Sequence, residues 1–304
     1  MRLLPTTVAG IVLVSILGAF SARAQTQGHV EENVVYGMVS GLALLMDVVH
    51  PTEPNGYGVV VIPGSGWHTP TDLDAEPLKN SWRRPALRAE SLLEAGYTLF
   101  AINHRAAPVF RYPAAVEDAQ RAVRYVRANA ERFGIDPDRI GAIGGSSGGH
   151  LVSMLGTLDA GAQGTGINAK SSKAQAVVAL FPTTDFQLYL RTGSGGAGAA
   201  AASFLGIPGG FAFPGAEALY REASPITHVS EDDAPFLLIH GDQDRVVNLD
   251  QSETFLEALR NVGVESELIV VRGGTHGDRI LNGSNAPDYF EPLVNWFDTH
   301  LKSR

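Results

Sequence analysis

The sequence predicts an α/β protein, with a mostly parallel central sheet and helices on both faces. Three observations predict it. Apolar runs of strand length recur at 59–62, 98–102, 176–181 and 236–239, without the polar alternation of a half-solvated strand. Segments with helical spacing separate them, which requires crossovers rather than hairpins. The chain is also long enough, at 304 residues, to bury one sizeable core.

The elements follow in order. Residues 43–49 and 59–62 read as early strands, 86–95 as a helix and 98–102 as a strand. Pro113 opens a long helix. On it Val116, Ala119, Val123, Val126 and Ala130 recur at alternating spacings of 3 and 4, one helical face. Gly134-Ile135-Asp136-Pro137 ends it. A short buried strand at 139–142 leads through a glycine-rich stretch into a helix that starts at Ser147. Strands at 176–181 and 236–239 follow. Asp250 is placed to cap a helix running to Val262, with Glu253 three residues on. Residues 267–271 form the last strand, and the final helix carries Phe290, Leu293, Phe297 and Leu301 on one face. One segment, 191–215, breaks the alternation. It is rich in glycine and alanine and contains Pro208 and Pro214, so it reads either as a small cap or as an ordinary surface loop.

The first residues read as a targeting segment. Arg2 gives a positive start, 8–20 is an apolar run, and Ala22-Arg23-Ala24 is a small-x-small cleavage site before Gln25. The expectation is a signal peptide over 1–24, a single domain over 25–304, and a periplasmic or secreted protein. There is no cysteine, so no disulfide, thiolate nucleophile or thiolate metal site exists. The formal charge of −9 becomes −11 once Arg2 and Arg23 leave, which disfavours nucleic acid and anionic membranes as partners.

The chemistry is concentrated in Ile143-Gly144-Gly145-Ser146-Ser147-Gly148-Gly149-His150. A serine flanked by glycines between strand and helix is the nucleophile-elbow pattern G-x-S-x-G. Side chains at the flanking positions would collide with the neighbouring strand and helix. Two registers fit, with Ser146 or Ser147 as nucleophile. Ser146 is preferred because it leaves small residues on both sides and lets the helix start at Ser147.

Serine needs a base, and the base needs an orienting acid. His276, in Gly273-Gly274-Thr275-His276-Gly277 after the last strand, is the best base. The acid is Asp244 or Asp242, both in the loop after 236–239; Asp244 lies further past the strand end, and Asp242 is suited to hold the turn. An oxyanion hole needs backbone N–H groups. Ser147 supplies one, and Pro63-Gly64-Ser65-Gly66-Trp67 after an early strand supplies others from Ser65 and Gly66, with Trp67 placed to wall the substrate pocket.

With these residues in place the chain resembles the α/β-hydrolase superfamily, and within it the hormone-sensitive-lipase and BD-FAE-like esterases (alpha/beta hydrolase fold-3). The likeness runs from about Val59 to Leu301. It includes Arg111-Tyr112-Pro113-Ala114-Ala115-Val116-Glu117-Asp118, YVRANAERFGIDPDR before the elbow, Ala223-Ser224-Pro225-Ile226, and FLLIHGDQDRVV around the acid. The resemblance implies nucleophile Ser146, acid Asp244, base His276 and donors at Ser65, Gly66 and Ser147. Two departures stand out. Pro63 replaces a histidine that would brace the oxyanion loop, and Ser65 replaces a glycine, which would be strained at positive φ. Alanine is usual after the nucleophile, where this chain has Ser147.

The expected function is an exported serine ester hydrolase acting on small or medium acyl esters, with a small-molecule or carbohydrate ester as substrate and no metal or organic cofactor. Amide-bond hydrolysis on the same fold, and a non-catalytic binding protein on a hydrolase scaffold, are the alternatives. A covalent serine probe separates the last from both enzymes.

Overall fold

The computed structural model describes residues 27–69, 72–159, 164–192, 197–207 and 215–302. The expected signal peptide lies outside them. Among the described residues eight strands form one sheet: β1 (Gln27–Val39), β2 (Leu42–Pro51), β3 (Gly58–Ile62), β4 (Thr98–Ile102), β5 (Ile140–Gly145), β6 (Ala176–Leu180), β7 (Phe236–Gly241) and β8 (Ser266–Val271). Their order is β1-β2-β4-β3-β5-β6-β7-β8. Strand β2 is antiparallel to β1 and β4, and every other pair is parallel, so β2 alone runs against the sheet.

The helices are α1 (Ala89–Glu94), α2 (Ala114–Ala128), α3 (Ala130–Phe133), α4 (Ser147–Thr157), α5 (Phe186–Thr192), α6 (Gly198–Leu205), α7 (Glu217–Ala223), α8 (Asp250–Asn261) and α9 (Phe290–Phe297). They cover both sheet faces. Val60 and Ile62 of β3 point into the core formed with α2, α4 and α8, whereas Val59 and Val61 point into that formed with α1 and α9. This is the period-two alternation of a strand buried on both faces. It explains why β3 to β7 are fully buried and apolar except at Thr98 and His240. The observed architecture is the mostly parallel, two-faced α/β sheet that the sequence predicts.

Several boundaries differ, each for a local reason. The helix expected at 86–95 begins instead as a 3-10 turn, Pro85–Leu87, because Arg88 adopts a left-handed φ of 51° before α1. Asp250 is the first helical residue of α8 rather than its cap; Leu249 occupies the cap position without a side-chain bond. The long helix opened by Pro113 breaks at Asn129, and Gly134, at φ 66°, ends α3. Part of 191–215 is the helix α6, docked through Phe204, whose ring stacks on Trp67 at 4.7 Å; residues 193–196 and 208–214 lie outside the described residues.

The topology creates the site. From β3 the chain crosses one way to β4, and from β5 it crosses the other way to β6. Neighbouring loops that diverge leave a crevice at the carboxyl ends of β3 and β5.

Candidate active site

The turn from β5 into α4 places Ser146 at φ 56° and ψ −122°, a conformation costly for a residue with a Cβ. The glycines around it are required by contact. A Cβ on Gly148 would lie 1.9 Å from the Ile62 carbonyl oxygen, and one on Gly144 would lie 2.4 Å from the Gly148 oxygen. The elbow is thus wedged against β3, and the serine is lifted above the carboxyl end of the sheet.

His276 follows β8 and meets the elbow. Its Nε2 lies 2.9 Å from Ser146 Oγ, and its Nδ1 lies 2.6 Å from Asp244 Oδ2. Asp244 Oδ1 accepts the N–H groups of Val246 (2.8 Å) and Val247 (3.0 Å). Burial alone would raise the Asp244 carboxyl, but the imidazoles of His240 and His276 outweigh it and hold the group well below the usual carboxylate range. His240 lies beside the carboxylate. Its Nε2 is 3.6 Å from Asp244 Oδ2 and donates to the Val247 carbonyl at 3.0 Å. An ionised Asp244 only accepts, so Nδ1 of His276 carries its proton and Nε2 is left to accept from the Ser146 hydroxyl.

Of the two aspartates weighed, Asp244 meets His276. Asp242 Oδ1 accepts the Gly273 N–H at 2.7 Å and so ties two loops together. Of the two serines, Ser146 meets the imidazole. Ser147 is 1% exposed, and its Oγ accepts the N–H of Ser65 at 2.9 Å. That contact corrects one expectation: the Ser65 N–H is not a free oxyanion donor. Gly66 borders the cleft, and Ser147, as the first residue of α4, has a backbone N–H without an intrahelical partner. The feared strain at Ser65 does not arise, because the left-handed positions fall on Gly66 (φ 64°) and Trp67 (φ 58°).

Trp67 is a second correction. It does not wall the cleft but is buried among His150, Phe186 and Phe204. Its Nε1–H donates to His150 Nδ1 at 3.1 Å, and His150 Nε2 donates to the Ala223 carbonyl at 2.9 Å. His68 Nδ1 donates to the Gly66 carbonyl at 2.6 Å, and its Nε2 meets Ser203 Oγ of α6 at 3.1 Å. Ser147, His68 and the Trp67–His150 pair therefore brace the loop that Pro63 cannot.

Burial pushes the His150 imidazole down to about 4. The folded value lies below the unfolded one, near 6.5, so between the two the unfolded chain binds a proton that the folded chain refuses. Stability is expected to decline by about 3 kcal/mol as pH falls across that window. Denaturant titrations of the wild type and His150→Phe at pH 7 and pH 4.5 check it. The variant loses stability at pH 7 through the unpaired Trp67 N–H, and its acid slope is shallower.

The cleft above Ser146 holds about 260 Å³. Ala86 and Leu87 of the 3-10 turn form one wall, and Phe181, whose ring centre is 4.8 Å from that of His276, forms another. Arg84 and Asp278 stand at its rim, both exposed. Asp278 Oδ1 accepts the Ala86 N–H at 3.0 Å and joins the His276 loop to that wall. Sequence reasoning missed these residues. Phe181, directly after β6 at its carboxyl end, was the one with a readable position.

The BD-FAE family matches over residues 46–259, and the chain belongs to it. The fold is that of the α/β-hydrolases. The chain is 28% identical to esterase LipC of Mycobacterium tuberculosis over 83% of its length and 60% of LipC. It is 30% identical to the probable carboxylic ester hydrolase LipM of the same organism, over 66% of its length and 44% of LipM. It thus spans about half the length of these curated relatives. A truncated carbohydrate esterase from gut microbiota superposes with a TM-score of 0.75 at 28% identity, covering 92% of this chain and 99% of that one.

Proposed function

We propose that the chain is an exported serine carboxylic-ester hydrolase that removes short acyl groups, acetyl foremost, from small or carbohydrate alcohols. The hydrogen-bonded run from Ser146 through His276 to Asp244 carries the reading. Ser146 Oγ attacks the ester carbonyl as His276 Nε2 takes its proton. The N–H groups of Gly66 and Ser147 receive the oxyanion. Collapse expels the alcohol, which takes the proton from Nε2, and water repeats the sequence on the acyl-enzyme. The small, apolar-walled cleft favours short acyl chains. The carbohydrate esterase relative supports a sugar alcohol, and the Ala22-Arg23-Ala24 cleavage site supports export. The chain's acidity supports the expectation of neither nucleic acid nor membrane as partner.

A panel of p-nitrophenyl esters, with acetate release from acetylated xylan beside it, tests the substrate class. Acetate and propionate esters are expected to exceed the octanoate in kcat/KM. A preference for long chains, or hydrolysis of p-nitroanilides alone, would contradict it.

The engaged Ser65 N–H is the one observation that favours a non-catalytic scaffold, and Ser147 decides between the two. If Ser147 Oγ braces the loop that presents Gly66, Ser147→Ala lowers kcat by roughly tenfold with little change in KM. A rise in kcat would mean that Ser147 masks a better donor.

A further inference from the structure

Strands β1 and β2 at the sheet edge bring together a second set of chemistry-bearing side chains, independent of the Ser146 cleft. His29 and Glu31 are two residues apart on β1 and so share a face of the strand. Val30 pairs with Val49, which places His50 of β2 across from His29. The His29 and His50 rings stack at 4.1 Å with planes 8° apart. His50 Nε2 lies 3.0 Å from Glu31 Oε1. One ligand atom from each of the three residues lies within 4.8 Å of the other two.

We infer that His29, Glu31 and His50 form a binding site for a divalent transition-metal ion of the Zn²⁺ class. Metal–ligand bonds of about 2.1 Å in a tetrahedron set ligand atoms about 3.4 Å apart. A turn of one imidazole out of the stack closes the remaining gap. Two imidazoles and one carboxylate select Zn²⁺, Ni²⁺ or Cu²⁺ over Mg²⁺ and Ca²⁺, which require oxygen ligands. Three protein ligands leave a position for water. Glu31 Oε2 pairs with Arg132, and Oε1 would exchange its contact with His50 Nε2 for the ion as that nitrogen also turns its lone pair to the metal. The guanidinium orients the carboxylate but competes for its charge, so it limits the affinity. The ion would staple the edge strand β1 to β2.

The test uses the chain without a polyhistidine tag, stripped with chelator and titrated with ZnCl2 by calorimetry. Thermal unfolding and Co²⁺ absorption are read in parallel. One Zn²⁺ per chain is expected, with a raised Tm and the absorption of low-coordinate Co²⁺. His29→Ala and His50→Ala each weaken uptake by roughly tenfold or more and remove the Tm rise. Arg132→Ala keeps all three ligands and tightens it. Absence of saturable uptake by the wild type, or uptake unchanged in the His29→Ala/His50→Ala double variant, would overturn the assignment. Ester hydrolysis should be the same in all of these variants.

Discussion

Replacing Ser146 by alanine is expected to lower ester hydrolysis by about 10⁵-fold or more, because the attacking oxygen is gone while every other part of the site remains. The fold should be untouched. Alanine keeps the Cβ, so it neither relieves nor adds to the cost of φ 56° and ψ −122° at this position. Ser146→Gly removes the same oxygen and also that cost. It should be equally inactive yet more stable, by about 1–3 kcal/mol less any entropy lost to the extra backbone freedom. Steady-state rates on p-nitrophenyl acetate, read beside thermal unfolding of both variants, check the two halves separately. Retained activity in Ser146→Ala would transfer the chemistry to another residue. Ser147 is a poor substitute, since its buried hydroxyl already accepts the Ser65 N–H.

The second large effect is expected at Asp244, and its size follows from the hydrogen-bond directions. Asp244 Oδ1 accepts two backbone donors, from Val246 and Val247, while Oδ2 faces His276 Nδ1. In Asp244→Asn the amide oxygen must stay with the two backbone N–H groups, because an NH2 group there would leave three donors facing one another. The amide NH2 is then turned toward His276 and donates to Nδ1. The imidazole proton moves to Nε2 and points at Ser146, where it cannot accept. A fall in kcat of about 10⁴-fold is expected, comparable to the loss known for this substitution in serine proteases. Asp242→Asn provides the contrast. That side chain only accepts the Gly273 N–H, so its amide oxygen can do the same and the rate should stay within about threefold of wild type. Equal losses in both variants would contradict the assignment of the acid.

The parts of this molecule that were legible in the sequence are those whose residues are constrained twice. Strands β3 to β7 are buried on both faces, so their apolar runs carry no competing signal. The elbow glycines are fixed by contacts with Ile62 and with each other, and His276 and Asp244 follow strands at the same sheet end. Strand β1 was missed because it is an edge strand. Val35 and Met38 are exposed, Glu31, Glu32 and Asn33 interrupt the alternation, and three register shifts break its period. Trp67 was misplaced because sequence adjacency to the oxyanion loop does not reveal side-chain direction. Its left-handed φ of 58° turns it to the aromatic cluster beneath α6. The Ser65 N–H was misassigned because its acceptor, Ser147 Oγ, is 82 residues away and belongs to the partner turn. The cleft walls were invisible for a similar reason. Ala86 and Leu87 reach the site only because Arg88 breaks the helix that their sequence predicts.

The central claim is that Ser146 is a nucleophile activated by His276. Labelling the purified protein with a fluorophosphonate, followed by peptide mapping, tests it most directly. The account predicts one modified residue, Ser146, with labelling abolished in His276→Ala although that variant remains folded. Modification at Ser147, labelling that survives the loss of His276, or no labelling of well-folded wild-type protein would contradict it.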